Sequence, residues 1–120
     1  MKTTITMVLG LLSAFAWAES PVGRAPGYAA RRTNPLQGSA SAGRAGAKLY
    51  ARECASCHGG VRQGIGKAPP LNISEVRQAS PGTLFWVLRN GSLPRGMPSF
   101  AHLPEPQRWQ IITFLQMAKE

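Results

Sequence analysis

The stretch ECASCHGG, residues 53–60, contains both cysteines of this 120-residue chain. Cys54 and Cys57 are separated by two residues, and His58 directly follows the second cysteine. Two thiols and an imidazole this close together serve few kinds of site: a disulfide or thiol redox centre, a zinc site, or the covalent attachment of haem. The rest of the sequence discriminates among these possibilities.

Thiol redox motifs of this spacing lie where a strand meets a helix in a βαβ unit. No run of this sequence alternates apolar and polar residues with the period of a strand. Zinc needs four ligands, and the available set of Cys54, Cys57, His58 and His102 contains two adjacent residues that cannot easily reach one tetrahedral ion together. Both alternatives are therefore disfavoured.

Haem attachment uses all three side chains, because Cys-x-x-Cys-His is the specific signature of c-type haem. The two thiols add to the two vinyl groups on one edge of the porphyrin, and the histidine then falls under the iron. We therefore predict one covalently bound haem, attached through Cys54 and Cys57, with His58 as an iron ligand.

The second axial position of the iron decides what such a protein can do. Met97 lies in RGMPSF, residues 95–100, between a glycine that lets the backbone come close and a proline that fixes the turn. Met117 lies late in a helical run, where packing explains it, and His102 lies in an irregular stretch expected at the surface. We predict Met97 as the second ligand, with Met117, His102, water or an empty position as the alternatives.

The first 18 residues, MKTTITMVLGLLSAFAWA, have the layout of a secretory signal peptide. Lys2 provides a positive start, a short apolar run follows, and Ala16-Trp17-Ala18 forms a small-x-small cleavage site. The apolar run is shorter than the roughly 20 residues that span a bilayer. We expect cleavage after Ala18 and a periplasmic product without a membrane span.

The remaining chain divides into two parts. Residues 19–42 are rich in Pro, Gly, Ala and Ser, which predicts a flexible lead-in with Tyr28 and Leu36 as possible anchors. Residues 43–120 predict one all-α domain in which three helices are separated by irregular loops. A domain of this size buries too little apolar surface to be stable alone, so a cofactor in its core is expected.

Start and stop signals delimit these helices. Ser41 is the candidate cap of the first helix, which carries Cys54 near its end. The second helix has Ser80 at its cap, Pro81 in its first turn and Gly91 just past its end. The third helix occupies the C-terminal residues that follow LPEP.

The chain is strongly basic, with a formal net charge of +9. A charge of this size is common in nucleic-acid-binding proteins. The expected export and the lack of a basic helix interleaved with aromatic residues argue against nucleic acid as a partner. Two explanations of the charge are left: a surface that attracts an acidic protein partner, and a basic surface that is simply solvated.

Four segments together resemble the class I monohaem c-type cytochromes: GAKLYARECASCHG, APPL, LFWVLRNGSLPRGMPSF and RWQIITFL. The resemblance covers residues 43–120 and is close to small periplasmic cytochromes that accompany quinoprotein-type dehydrogenases. It implies the cytochrome c fold, with about three main helices and irregular loops wrapped round one haem. It also implies a contact of Gly46 and Tyr50, on the first helix, with Trp109 on the last.

The resemblance assigns roles to three further residues. Pro69 matches a family proline whose carbonyl accepts the remaining N–H of His58, which fixes the imidazole. Leu71 matches a family leucine that packs on the porphyrin ring. Trp86 matches an aromatic residue that bonds a haem propionate, although packing explains its presence equally well.

Protein ligands on both faces of the iron imply one-electron transfer, from a dehydrogenase to an oxidase or another cytochrome. A haem enzyme or gas-binding domain with an open sixth position is the alternative, and a colourless thiol oxidoreductase is a third possibility. Basic residues near the haem edge are expected to attract an acidic partner to a monomeric carrier: Arg62, Lys67 and Arg95.

Overall fold

A computed structural model describes residues 20–117 of the chain. In this part of the chain the regular secondary structure is helical. Two isolated β-bridges lie in the loops. None of its helices is long and apolar enough to cross a membrane. The helices, in chain order, are α1 (Gly27–Ala30), α2 (Ala40–Glu53), α3 (Ala55–His58), α4 (Ser74–Gln78), α5 (Pro81–Asn90) and α6 (Glu105–Met117).

Helix α2 begins two residues earlier than its cap signal predicted. The hydroxyl of Ser39, not Ser41, accepts a hydrogen bond from the backbone N–H of Ala42 at 3.2 Å. Ser39 has the extended backbone that a cap requires, with φ −74° and ψ 114°. The prediction of Ser41 as the cap is therefore wrong: the helix begins at Ala40, and Ala42 in its first turn is buried.

Helix α5 has the ends that its sequence predicted. The Ser80 hydroxyl accepts from the N–H of Thr83 at 3.2 Å, and Pro81 occupies the first turn. Gly91 ends the helix with φ 67°, a left-handed value that glycine adopts without a steric cost. Both signals are confirmed.

The longest helices, α2 and α6, cross at a glycine. A Cβ on Gly46 would lie 2.6 Å from the carbonyl carbon of Gln110 and 2.9 Å from Cβ of Phe114, so the two backbones are in direct contact. The Tyr50 and Phe114 rings lie 5.5 Å apart beside this crossing. The predicted contact between the first and last helices is present, and the aromatic ring beside Gly46 and Tyr50 is Phe114.

Trp109 faces a different neighbour. Its ring stacks on Phe85 of α5 with 4.1 Å between centroids and 20° between planes. The Arg32 guanidinium lies 4.5 Å from the centre of the Phe85 ring and also pairs with Glu105 at 2.5 Å. These contacts join α5, α6 and the segment before α2 into one packed layer.

The segment that precedes α2 differs from the mobile lead-in that its composition predicted. A Cβ on Gly82 would lie 2.8 Å from the carbonyl oxygen of Arg32, so this segment runs directly against α5. The Ser80 hydroxyl donates to the Ala30 carbonyl at 2.6 Å, and the buried Asn34 side chain donates to Thr113 at 2.8 Å. Hydrogen bonds thus hold this segment against α5 and α6, although its sequence lacks apolar periodicity.

The anchors of this segment are only partly those expected. Leu36 is partly buried and packs against the core, as predicted. Tyr28 is 70% exposed and anchors nothing, whereas its neighbour Ala29 is buried. A small side chain fits against α5 because the two backbones come so close.

The core lies between α2, α5 and α6 and includes Cys54. Helix α4, which the sequence signals did not predict, closes one side of the core with the buried Val76. The Gln116 side chain bridges α4 and α6 through a 2.7 Å bond to the Ala79 carbonyl. The buried apolar cluster comprises Leu49, Tyr50, Cys54, Val76, Leu84, Phe85, Leu88, Phe100, Leu103, Trp109, Ile111, Ile112 and Leu115.

Candidate haem-binding site

The two cysteines lie at the junction of α2 and α3. Cys54 leaves the helical path with φ −119°, and its carbonyl accepts from the N–H groups of Cys57 and His58 at 3.2 and 2.9 Å. This tight turn brings the side chains of Cys54, Cys57 and His58 together within five consecutive residues. Both cysteines are free thiols, so the structure forms no disulfide between them.

The two thiols differ in environment. Cys54 is buried in the core, while Cys57 is exposed. Burial raises the pKa of the Cys54 thiol to about 12, and the nearby Glu53 and Cys57 add to the shift. A thiol redox centre needs a low-pKa thiolate for attack, so Cys54 does not fit that role. Its location in the core fits a covalent link to a buried group.

His58 is held by a carbonyl from the following loop. Its Nδ1 lies 2.8 Å from the carbonyl oxygen of Pro69, the contact that the family resemblance implied. With Nδ1–H donating to this carbonyl, Nε2 is the nitrogen with a lone pair for a metal. Such a bond also orients the ring and makes it a more basic ligand.

The loop between His58 and Leu71 is pinned at several points. The N–H of Gly64 donates to the His58 carbonyl at 2.7 Å, and the N–H of Leu71 donates to the Arg62 carbonyl at 2.8 Å. The Tyr50 hydroxyl reaches from α2 to the Gly59 carbonyl at 2.7 Å. These bonds fix the Pro69 carbonyl relative to His58. The sequence analysis placed Tyr50 at a helix contact but did not predict this hydrogen bond.

Met97 sits in a closed backbone loop. The N–H of Met97 donates to the Ser92 carbonyl at 3.1 Å, and the N–H of Ser92 donates to the Met97 carbonyl at 2.9 Å. Gly96 takes φ 84° to turn the chain between them. The Met97 side chain is partly buried and packs against the core that contains Cys54.

The other candidates for the second axial position lie elsewhere. Met117 is 44% exposed, and its sulfur faces Gly43 on α2, where a Cβ would lie 3.5 Å away. His102 is exposed, with its ring 6.0 Å from that of Phe100. Neither side chain belongs to the core that Cys54 and Met97 share.

The remaining predicted site residues have mixed surroundings. Leu71 is partly buried against the core. Trp86 is partly buried on α5, and its backbone carbonyl accepts from Asn90 at 2.8 Å. Arg62 takes a left-handed φ of 61° and places its guanidinium 5.3 Å from the Phe114 ring centre, so it is turned toward the protein.

The donor set of this site fits haem better than a bare metal ion. Within residues 20–117, no three His, Cys, Asp or Glu side chains are grouped to hold a metal ion. The site instead combines two free thiols, one imidazole with Nε2 available and one thioether, beside an apolar core. A porphyrin uses the thiols for attachment and leaves the iron two axial positions.

Comparison with known proteins gives the same assignment. Residues 41–115 match the family described as "Cytochrome C oxidase, cbb3-type, subunit III". The match covers well over half of the chain, and the chain belongs to this family of c-type cytochrome domains. No curated protein sequence matches it.

Two solved structures share its fold. Cytochrome cL from the marine methylotrophic bacterium Methylophaga aminisulfidivorans superposes with a TM-score of 0.62 at 21% identity, over 72% of this chain and 59% of the neighbour. Cytochrome cL from Hyphomicrobium denitrificans gives a TM-score of 0.60 at 18% identity, over 84% and 67%. This chain thus spans about three fifths of the first neighbour's length. The predicted all-α cytochrome c fold is confirmed.

The family match identifies the protein as a c-type cytochrome domain whose cofactor is covalently attached haem c.

Proposed function

We propose that this protein is an exported one-electron carrier in which His58 and Met97 bind the haem iron from opposite faces. The bond between His58 Nδ1 and the Pro69 carbonyl, at 2.8 Å, is the observation that carries the proposal. It leaves Nε2 for the iron and fixes the ring by a backbone group that cannot rotate away. Cys54 and Cys57 attach the porphyrin at the adjacent positions.

Haem, when bound, would supply an iron that can accept one electron from a donor and pass it to an acceptor. With His58 and Met97 as its ligands, the iron would have no position left for a substrate. The Met97 thioether and the apolar core favour the ferrous state, because it carries one positive charge less than the ferric state. Two backbone bonds close the loop between Ser92 and Met97, and this loop would hold the Met97 side chain in the same place in both oxidation states.

The donor that fits best is a dehydrogenase of the quinoprotein type, and the acceptor an oxidase or another cytochrome. Support comes from the likeness to the two cytochromes cL and from the oxidase subunit named by the family. Leu71 and Trp86, both partly buried, are assigned to the cofactor pocket. Trp86 is assigned there as a donor to a propionate.

An acidic protein surface is the proposed docking partner of a monomeric carrier. The sequence has fourteen Lys and Arg against five acidic residues, which favours encounter with negative surfaces. Lys67 and Arg95 are exposed and suit this role. Arg62 suits it less, because its guanidinium faces Phe114.

The location of the protein is proposed from the sequence. Residues 1–18 lie outside the described residues, and we assign them to a signal peptide that is cleaved after Ala18. The haem domain comprises residues 43–120, and the packed segment that precedes it is a structural extension of α5 and α6.

Optical spectroscopy of the purified protein, with its mass, tests this proposal. The mass should equal the processed chain plus one haem. The reduced protein should not change its spectrum when carbon monoxide is added. An immediate change would instead assign the protein to the alternative class, a haem enzyme or gas-binding domain with an open sixth position. A colourless protein with the mass of the bare chain would overturn covalent attachment itself.

A further inference from the structure

Arg62 adopts a backbone conformation that its residue type disfavours. Its φ is 61°, and it is the one non-glycine residue with a left-handed φ among residues 20–117. A residue with a Cβ meets a steric cost in this conformation that glycine avoids. Gly64 and Gly66 occupy the other left-handed positions nearby. An arginine at position 62 indicates that its side chain makes a contact which offsets this cost.

The backbone of Arg62 is the point at which the loop of residues 59–72 closes on itself. The Arg62 carbonyl accepts from the N–H of Leu71 at 2.8 Å and from the N–H of Asn72 at 3.3 Å. Leu71 follows Pro69 by two residues, and the Pro69 carbonyl lies 2.8 Å from His58 Nδ1. A displacement of Arg62 would therefore also displace the carbonyl that orients the imidazole.

The Arg62 side chain leaves this loop and reaches the crossing of α2 and α6. Its guanidinium carbon lies 5.3 Å from the centre of the Phe114 ring, within the roughly 6 Å over which a cation–π contact is favourable. The Phe114 ring in turn lies 5.5 Å from the ring of Tyr50. Burial raises the pKa of Tyr50 to about 12, and the positive charge of Arg62 opposes this rise, as expected of a close neighbour.

The next polar side chain of the loop makes a different kind of contact. Gln63 turns back into the loop, where its Oε1 accepts from the N–H of Val61 at 3.1 Å. The Tyr50 hydroxyl holds only the start of the loop, at the Gly59 carbonyl. The guanidinium of Arg62 thus connects the middle of the loop to the two longest helices.

We propose that Arg62 is a positioning residue for His58: its guanidinium, placed on the Phe114 ring, holds the loop so that the Pro69 carbonyl stays bonded to the imidazole. This inference rests on the function proposed above, in which His58 binds the iron. The bond to Pro69 makes the imidazole a more basic ligand and so stabilises ferric iron. Arg62 thereby lowers the reduction potential through His58.

NMR of the reduced, haem-loaded protein tests this role through the His58 Nδ1–H. Arg62→Gly suits the left-handed backbone but removes the guanidinium. If the guanidinium holds the loop, hydrogen exchange of this N–H should become roughly 2- to 30-fold faster, the range that corresponds to a cation–π contact, and its resonance should move to higher field. If only the backbone matters, glycine relieves the strain and exchange is slower or unchanged, which overturns the inference. Lys48→Met removes a positive charge at an exposed site on α2 and should leave the resonance in place.

A double-mutant cycle tests whether Arg62 acts through Phe114. Phe114→Leu keeps the arginine and its charge, so it should speed the exchange of the His58 N–H and raise the potential. In the Arg62→Gly background the same change should add little to the exchange rate, because the contact is already lost. If Phe114→Leu has its full effect in both backgrounds, Phe114 acts through Tyr50 instead and the inference is overturned.

A purely structural role of Arg62 and a failure of the proposed function give different results. If Arg62 only stabilises the fold, Arg62→Gly lowers the urea unfolding midpoint while the position of the His58 N–H resonance stays at its wild-type value, and the inference is rejected. If the proposed function fails, the wild-type protein shows this by its colour, its mass or its response to carbon monoxide.

Discussion

The backbone of Gly46 in α2 rests directly on the backbone of Gln110 in α6. A Cβ at position 46 would lie 2.6 Å from the carbonyl carbon of Gln110, which real side chains essentially never do. Because the neighbour is backbone, it cannot rotate away. This crossing fixes how the helix that carries Cys54 meets the last helix.

Gly46→Ala should therefore destabilise the protein by at least about 1–3 kcal/mol, the usual cost of overpacking a tight core. Gly43→Ala is a matched control one turn earlier, where a Cβ meets only the Met117 sulfur at an ordinary 3.5 Å. That change should raise stability by up to about 1 kcal/mol through helix propensity. Urea unfolding measures both. If the two changes altered the free energy of unfolding equally, the close contact of the two backbones at Gly46 would be contradicted.

Tyr50→Phe should cost about 1–3 kcal/mol, because it leaves the Gly59 carbonyl without its 2.7 Å donor. Tyr28→Phe, at a 70% exposed position, should leave the unfolding midpoint unchanged. If Tyr28→Phe is as costly, the loss is not due to the buried bond.

Alkaline pH gives a separate test of Tyr50. Burial raises the pKa of Tyr50 to about 12. The unfolded chain releases this proton near the usual tyrosine pKa of about 10, before the folded protein does, so stability falls as pH rises between about 10 and 12. In the haem-loaded protein, where Cys54 is a thioether and does not titrate, Tyr50→Phe should flatten this part of the profile. A slope that survives in the variant would assign it to another group.

Gly64→Ala should loosen the hold on His58. Gly64 has φ 82°, and a Cβ there would lie 2.7 Å from the backbone nitrogen of Pro70. The change should displace the Pro69 carbonyl, weaken its bond to His58 and make the imidazole a less basic ligand, which raises the reduction potential. Gly60→Ala has open space around its Cβ and serves as the control. Potentiometry on both proteins should show a shift only for Gly64→Ala.

Met97→Ala should lower the potential by on the order of tenths of a volt, within the roughly 0.8 V that axial ligands span. It should also let the reduced protein bind carbon monoxide. Met117→Ala removes a thioether that is 44% exposed on α6 and should change neither property. An unchanged potential in Met97→Ala would remove Met97 from the ligand set.

Local chemistry explains which parts of this molecule the sequence could predict. The Cys-x-x-Cys-His spacing is set by the porphyrin, and the Ser80 cap with Gly91 past the end is set by backbone hydrogen bonding. Each of these signals is complete within a few residues. Because nothing distant is needed to interpret them, they were predicted correctly.

Other features depend on neighbours that are distant in sequence. Helix α6 is apolar on more than one face, so periodicity could not decide whether Phe114 or Trp109 meets α2. The segment before α2 is ordered by hydrogen bonds of Ala30 and Asn34 to α5 and α6, which composition does not reveal. Ser39 and Ser41 are the same residue type two positions apart, so the local sequence does not distinguish them, whereas the structure shows Ser39 as the cap.

The reciprocal bonds between Ser92 and Met97 also bear on how fast this protein can exchange electrons. A six-residue ring closed by two backbone bonds has few ways to deform. With Met97 on the iron, as proposed, such a loop would keep the ligand atoms nearly still when the charge of the metal changes. The energy needed to rearrange the surroundings before each transfer is then small. In the proposed carrier, the rate of electron exchange would then depend on this short loop as much as on the porphyrin.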